Sequence, residues 1–286
     1  MNFEIGLIYA FLAMIFWGFG DFFIQKSVRK IGSIEALFFI GLIGSLGMLP
    51  FILKDFPLIF SGYNIVLLLF LGVLVFVFAV SNFEALKEGK LSVVDVILEL
   101  ELPLTVFLGF MFFKESLSFL QFVVIFFIFV SIMMMAVKSR NHLRIKLEKG
   151  VILALITAAG LGAINFLTAH SSRSISPLMA IWVPWVMLFI FSCLFILKKG
   201  GLKKFFINSS RNKRIIFFMA TFDTLAWIFY SLALAKNEVS IITAVTESYP
   251  AIALFLAVYF NKERIKWYQY LGAVLALGLS FILVVV

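Results

Sequence analysis

The chain has 286 residues, of which 63% are hydrophobic and 14% are charged, and its formal net charge is +9. Soluble domains are about 45–50% apolar and about 25% charged, so this composition excludes an ordinary soluble enzyme, a disordered chain and a nucleic-acid-binding domain. The single cysteine, Cys193, excludes an intrachain disulfide framework and a thiolate metal cluster.

Long apolar runs predict an all-α integral membrane protein. The strands of a membrane barrel alternate apolar and polar residues, whereas these runs are unbroken over about 20 residues, the length that a membrane helix needs. Ten segments meet this requirement: 5–24, 34–53, 65–86, 91–111, 118–137, 151–170, 177–197, 214–235, 239–260 and 267–286. The first has no basic residues before it, so we expect a retained helix and not a cleaved signal peptide. The polar breaks between segments, such as 26–30 and 198–214, are too short to form soluble domains.

Polar residues of the two halves match in order and spacing. At an offset of 148 residues, Ser92 aligns with Ser240 and Glu99 with Glu247. Near the start of each half the offset is 144, which aligns Gly18 with Gly162, Asp21 with Asn165, and Arg29 with Arg173. Chance easily aligns apolar residues of two membrane helices, but rarely the few polar ones. The pattern therefore predicts an internal duplication.

The duplication predicts a first five-helix repeat at residues 1–140 and a second at residues 141–286. Because five is odd, the second repeat must enter the membrane inverted. The Lys and Arg residues agree, since the odd-numbered breaks hold 20 of them and the even-numbered breaks hold 4. Cytoplasmic loops attract basic residues, so both termini are predicted to face outward. The net charge is then explained by topology, without a nucleic-acid partner.

Short motifs in this order resemble the drug/metabolite transporter superfamily, in particular its EamA-type members. The matching pieces are residues 230–234, Ser240, Pro250 and Lys262-Glu263 in the second half, and residues 82–86, Ser92, Pro103 and Lys114-Glu115 in the first. The resemblance covers essentially the whole chain. It implies secondary transport, often efflux of amino acids or other small metabolites, through a cavity between the halves. It also implies a Gly before each motif Glu, where this chain carries Lys114 and Lys262.

Two polar stripes occupy repeat-equivalent segments. They are Ser92, Asp95 and Glu99 in the fourth segment, and Ser240, Thr243 and Glu247 in the ninth. The spacing i, i+3 and i+7 places each stripe on one helical face. Ionisable residues within a membrane normally face a cavity or a partner, so we expect Glu99 and Glu247 to line a central cavity, where either is a candidate to carry a coupling proton. Interhelical hydrogen bonds are the structural alternative.

Further candidates for the substrate path combine acids with aromatic residues. Trp17 and Asp21 share a face of the first segment, and Asp223, Trp227 and Tyr230 share a face of the eighth. An acid flanked by aromatic rings can hold an ammonium group, although helix packing explains the same residues equally well. Asn165, the counterpart of Asp21, and Asn82 of the first-half motif complete the candidate set.

The sequence favours a secondary active transporter that exports small metabolites, such as amino acids or amine-bearing compounds, by alternating access. It lacks a GxxxxGK[ST] nucleotide-binding loop and any recognisable catalytic motif. The alternatives are an intramembrane lipid-processing enzyme and an uncoupled facilitator or channel. We expect no cofactor, no metal site and no nucleic-acid partner, and a location in the plasma membrane. The expected partners are the bilayer, a small-molecule substrate and candidate protons. The oligomeric state is not predicted.

Overall fold

A computed structural model of the protein describes residues 2–88, 97–136, 149–200, 202–262 and 264–286. All regular secondary structure in these ranges is helical. The α-helices are α1 (Asn2–Ile31), α2 (Ser33–Ile52), α3 (Gly62–Glu88), α4 (Glu101–Phe113), α5 (Phe119–Ala136), α6 (Lys149–Ser174), α7 (Pro177–Lys199), α8 (Leu202–Arg211), α9 (Lys213–Leu234), α10 (Val239–Thr246), α11 (Tyr249–Asn261) and α12 (Trp267–Val285), and a 3-10 helix lies at Phe56–Phe60.

Within the described ranges, nine helical segments are long and apolar enough to cross a membrane. They are α1, α2, α3, α5, α6, α7, α9, α12 and the combined length of α10 and α11. Large apolar side chains such as Phe70, Phe119 and Phe281 face outward, which suits contact with lipid. Each of the nine overlaps a predicted segment. The remaining prediction, residues 91–111, begins outside the described ranges, and α4 alone has only 13 residues.

Two polar segments that the sequence analysis treated as breaks are helical. Residues 26–30 continue α1 to Ile31, and residues 198–214 contain α8. Lys and Arg are good helix formers, so residues 26–30 extend α1 beyond its apolar stretch. Residues 198–214 instead contain the end of α7 and the separate helix α8.

The helix packing has an approximate two-fold symmetry between the repeats. Helix α1 packs along α9, and its counterpart α6 packs along α3, the counterpart of α9. Helix α2 packs against its own counterpart α7, and α5 packs against its own counterpart α12. In each of the last two pairs, the two helices therefore lie on opposite sides of the pseudo-two-fold axis.

Repeat-equivalent glycines make the same helix crossing in both halves. A Cβ atom on Gly18 of α1 would lie 2.5 Å from Cβ of Ile252 in α11. A Cβ atom on Gly162 of α6 would lie 3.1 Å from Cβ of Leu104 in α4. Both crossings join the first helix of one repeat to the fourth segment of the other. Small residues allow such close approach in membranes. The first helix of each repeat therefore packs closely against the fourth segment of the other repeat.

The ninth segment is not the continuous helix that the sequence analysis predicted. Helix α10 ends at Thr246, a turn occupies residues 247–248, and α11 begins at Tyr249. Pro250 explains the break, because its nitrogen cannot donate to the Thr246 carbonyl and its ring clashes with that carbonyl. In the first repeat, residues 97–98 are helical, residues 99–100 form the equivalent turn, and α4 contains Pro103.

Both half-helices after the breaks end in a left-handed residue at the Lys of the Lys-Glu motif. Lys114 has φ 55° and ψ 37°, and Lys262 has φ 54° and ψ 36°. The backbone N–H of Lys114 donates to the carbonyl of Gly109, and that of Lys262 donates to the equivalent carbonyl of Ala257. This conformation favours glycine, which is the residue that the resemblance implies at the positions of Lys114 and Lys262.

Close packing of α2 against α7 depends on two of the three glycines of α2. A Cβ atom on Gly41 would lie 2.5 Å from the backbone nitrogen of Phe189. A Cβ atom on Gly44 would collide with Cδ1 of Trp185, which belongs to α7. Gly47 faces open space. The crossing therefore requires Gly41, whose obstructing neighbour is backbone and cannot rotate away.

We predict that Gly41→Ala destabilises the purified protein, whereas Gly47→Ala on the same helix does not. Overpacking at a rigid site costs about 1–3 kcal/mol, while Gly→Ala at an open helical site gains about 0.5–1 kcal/mol from helix propensity. Thermal unfolding in detergent compares the two variants with the wild-type protein. An unchanged or higher melting temperature for Gly41→Ala would contradict the close α2–α7 crossing.

Candidate functional site

The two candidate glutamates lie at the helix breaks. Glu247 directly follows α10, and its backbone N–H donates to the Thr243 carbonyl at 2.8 Å. Glu99 occupies the equivalent turn ahead of α4. Non-helical backbone at membrane depth is tolerated where it is buried in protein or lines a cavity. Transporters built from inverted repeats place substrate and ion sites at such breaks.

Three carboxylates form an acidic cluster around these breaks. Glu247 interacts electrostatically with both Glu99 and Glu101. Glu101 accepts a hydrogen bond of 2.7 Å from the side-chain amide of Asn165, which also approaches Oγ1 of Thr105 at 3.3 Å. The sequence analysis selected Asn165 without identifying its partner. Carboxylates removed from water need a compensating charge or hydrogen bond, so the cluster suits a ligand that carries a cationic group.

An aromatic cluster contains three of the predicted residues and two that were not predicted. The ring centroid of Trp17 lies 5.1 Å from those of Trp227 and Tyr230 and 6.0 Å from that of Tyr249. The centroid of Trp227 lies 5.7 Å from that of Trp185. Tyr249 could have been found from the repeat, because it occupies the position equivalent to Glu101.

Tyr249 joins the aromatic cluster to the acidic residues. It interacts electrostatically with Asp21, Glu99, Glu101 and Glu247. Tyr249 and Glu247 are both half-buried. The aromatic and acidic clusters therefore form one continuous surface at the interface between the repeats.

Asp21 and Asp223 lie where α1 crosses α9. A Cβ atom on Gly20 would lie 3.3 Å from the backbone nitrogen of Asp223, so the two helices are in close contact there. The two aspartates interact electrostatically, and Asp21 accepts a hydrogen bond of 3.2 Å from Gln25. The structure thus brings together two acids that the sequence analysis selected separately.

The polar residues of the ninth segment have three different environments. The Thr243 hydroxyl lies 2.8 Å from the Tyr230 hydroxyl, within the aromatic cluster, and Glu247 belongs to the acidic cluster. Ser240 is fully buried, and its hydroxyl donates to Oε2 of Glu115 at 2.7 Å. This differs from the cavity-lining position predicted for Ser240. The physical reason is that Ser240 lies in the first turn of α10, where an acceptor is needed for free N–H groups.

Glu115 supplies that acceptor from the other repeat. Its carboxylate receives the backbone N–H of Val239 at 2.6 Å and that of Ser240 at 3.0 Å. A negative charge is favoured at a helix N-terminus. Gly109 leaves the necessary space, since a Cβ atom there would lie 2.8 Å from Oε2 of Glu115. From the sequence, Glu115 is only part of a motif, because Val239 and Ser240 lie more than 120 residues away.

Arg173 completes this contact at one end of the bundle. Its guanidinium lies 3.4 Å from Glu115, donates to the carbonyls of Leu234 and Asn237 at 2.9 and 2.6 Å, and stacks over Phe113 at 4.4 Å. We call Glu115, Arg173 and the first turn of α10 the interrepeat latch. A cleft of about 570 Å³ opens beside it.

The remaining predictions are tested only in part. Ser92 and Asp95 lie outside the described residues. The side-chain oxygen of Asn82 is buried, and no described residue donates a hydrogen bond to it. Among the described residues, no group of three or more His, Cys, Asp or Glu side chains is arranged to hold a metal ion.

Comparisons with known proteins agree with this architecture. The sequence profile of the EamA-like transporter family matches residues 4–137 and, a second time, residues 148–285. No curated protein matches the chain significantly. A protein of known crystal structure has the same fold with a TM-score of 0.73, at 12% sequence identity over 97% of this chain and 95% of the other.

We predict opposite effects of removing the charge of Glu115 and of its neighbour Glu238. Glu115→Gln weakens the bonds to Arg173 and to the N-terminus of α10 and should destabilise the protein by about 1–3 kcal/mol. Partial burial and repulsion from Glu115 raise the pKa of Glu238, although Arg173 opposes this shift. A raised pKa means that ionisation of Glu238 reduces stability as the pH rises through that value.

Glu238→Gln should therefore slightly raise the melting temperature at pH 7 and leave it unchanged near pH 4. Thermal unfolding of both variants and the wild-type protein across this pH range measures the effects. Equal destabilisation by both substitutions at pH 7 would contradict the assignment of Glu115 as the helix-capping partner.

Proposed function

The chain belongs to the EamA-like transporter family, and on that premise we propose that it is a secondary active transporter. The proposed activity is alternating-access export of small metabolites, such as amino acids or amine-bearing compounds, through a cavity between the two repeats. The family and the apolar helices make it a multi-pass membrane protein. The mechanism, the substrate class and the direction of transport are the parts that we propose.

We propose ten membrane crossings in two inverted five-helix repeats. Nine candidate spans lie in the described residues. The remaining crossing is the fourth along the chain, and it contains the shorter apolar helix α4. Helix α4 corresponds to α11, the second half of the broken ninth segment. A crossing that includes α4 gives each repeat five helices, which accounts for the inverted distribution of basic residues.

The observation that carries the proposal is the continuous acidic and aromatic surface at the repeat interface. It is built around the breaks at Glu99 and Glu247, with Trp17 and Tyr249 beside them. Both the charge and the ring faces suit a cation, which favours a substrate with an amine. The match to a transporter family favours a carrier over a lipid-processing enzyme.

The interrepeat latch supports alternating access. The latch holds the two repeats together at one end of the bundle. The distribution of basic residues predicts that this end faces outward. Its symmetric counterpart would use Glu263, which lies outside the described residues, and Arg29, whose side chain is exposed. A pathway closed at the outer end fits one state of an exporter.

Transport by purified protein in liposomes tests the proposal. A thermal-shift screen of amino acids and biogenic amines selects a radiolabelled compound for flux measurements. A carrier gives saturable uptake that is accelerated by unlabelled compound on the opposite side. Flux that does not saturate would identify a channel, and conversion of a lipid without flux would identify an enzyme.

We predict that Glu99 or Glu247 couples transport to protons. Protonation at low pH removes a negative charge that an amine requires, so substrate and proton binding are linked at that carboxylate. Glu→Gln imitates the protonated form. At the coupling position it should abolish the pH dependence of proton-driven transport and leave counterflow partly intact.

Glu35→Gln, which alters a carboxylate outside the acidic cluster, is the matched control and should keep the native pH profile. If the single and double variants at 99 and 247 also keep that profile, neither glutamate carries the proton. Coupling would then belong to Asp21 or Asp223, or the protein would be an uncoupled facilitator.

We predict that both termini lie outside the cytoplasm, with the protein in the plasma membrane. The asymmetry of 20 basic residues against 4 supports this orientation. A reporter that fluoresces only in the cytoplasm should remain dark when it is fused after Val286. The same reporter inserted between Asn208 and Ser209 should fluoresce. The reverse pattern would invert the orientation without affecting the repeat.

A further inference from the structure

Helix α8 lies between two membrane-spanning helices in the most basic connection of the chain. Gly200, with φ +74°, ends α7 in a conformation that disfavours other residues, and α8 begins at Leu202. Residues 198–214 carry seven Lys or Arg residues and no Asp or Glu. The positive-inside rule accounts for this charge, but it does not require a helix there.

The apolar side of α8 is only partly covered by protein. The Phe205 ring lies 5.3 Å from that of Phe38 and 5.6 Å from that of Phe39 in α2. Its neighbours Phe206 and Ile207 are 65% and 42% exposed. A ten-residue helix is marginal by itself in water. An apolar phase that covers Phe206 and Ile207 would stabilise it further.

The location of α8 identifies that phase as the bilayer. Both ends of α8 join spans, since α7 ends at Lys199 and α9 begins at Lys213. The helix is therefore held at the membrane surface. Exposed basic side chains flank the apolar residues; these are Lys198, Lys199, Arg211, Lys213 and Arg214. An amphipathic helix with exposed aromatic residues and basic flanks is typical of helices that lie in the interface.

We propose that α8 is an interfacial helix that binds anionic lipids. Phe206 and Ile207 enter the boundary between headgroups and acyl chains, and the basic residues bind the phosphates of anionic phospholipids in that leaflet. Anionic headgroups are the occupant with complementary charge. This proposal does not depend on the transport activity.

The other repeat provides an internal comparison. The connection equivalent to α8 is the short segment between α2 and α3, which contains the 3-10 helix Phe56–Phe60. It also exposes an apolar side chain, Phe60, which is 77% exposed. Its charged residues are Lys54 and Asp55, which cancel. This segment is apolar without being basic, so it separates the effect of charge from that of hydrophobic contact.

Fluorescence quenching by spin-labelled lipids tests the proposal on the full-length protein. In a Cys193→Ala background, Ser210→Cys places a fluorophore on α8, and Ser61→Cys places the same fluorophore beside the control segment. The vesicles are phosphatidylcholine with a small fraction of spin-labelled phosphatidylglycerol or spin-labelled phosphatidylcholine. At low salt, phosphatidylglycerol should be enriched at position 210 by about fivefold or more, the effect of about one basic residue near an anionic surface.

Position 61 should show equal quenching by both lipids. High salt, or Arg211→Gln with Lys213→Gln, should reduce the enrichment at position 210 and leave quenching by phosphatidylcholine in place. Phe206→Ser with Ile207→Ser should reduce quenching by both lipids. Equal quenching by the two lipids at position 210 would overturn the anionic site. Quenching by neither would show that α8 faces water or a protein partner and would overturn the interfacial location.

Discussion

Proline in the middle of a membrane segment is the constraint on which the rest of the structure depends. Pro250 denies the Thr246 carbonyl its helical hydrogen bond, so the ninth segment divides and Glu247 lies in a turn. The freed backbone must be stabilised by other helices. The turn itself is held against α12, because the hydroxyl of Ser248 lies 2.7 Å from that of Ser280. At the other end of α10, Glu115 caps the helix from the opposite repeat. The break in the ninth segment and the contacts between the repeats therefore depend on each other.

The repeats share a fold but differ in chemistry at equivalent positions. The structure uses Asp21 where the second repeat has Asn165, and Glu101 where the second repeat has Tyr249. As a result, Glu101 is hydrogen-bonded to Asn165 in one of the two equivalent places, and Tyr249 packs against Trp17 in the other. A symmetric scaffold thereby carries an asymmetric surface. Such a surface can orient a substrate that has an amine at one end and an apolar group at the other.

The fold was largely predictable because lipid imposes a strong rule on sequence. Nine of the predicted segments coincide with membrane-length helices among the described residues. Gly18 and Gly162, which the sequence aligned as evidence of duplication, make equivalent helix crossings. The helix breaks at residues 99–100 and 247–248 were not predicted, because Pro250 was interpreted only as one residue of a family motif. The partners of Glu115 and Tyr249 could not be predicted, since helical periodicity in one sequence shows which residues share a face but not which helix covers it. Helix α8 was not predicted either, because residues 198–214 are mostly polar and the helices were predicted from apolar runs.

The short length of α10 links the end of the bundle to the candidate site. Glu115 holds Val239 and Ser240, and Glu247 lies eight residues after Val239, about 12 Å along a helix. Two turns of hydrogen-bonded helix directly connect the capped end of α10 to the break. Opening the latch would therefore displace Glu247, and a ligand that moves Glu247 would strain the latch. In an alternating-access carrier, this direct connection is the kind of element that ties occupancy of the site to closure of one end.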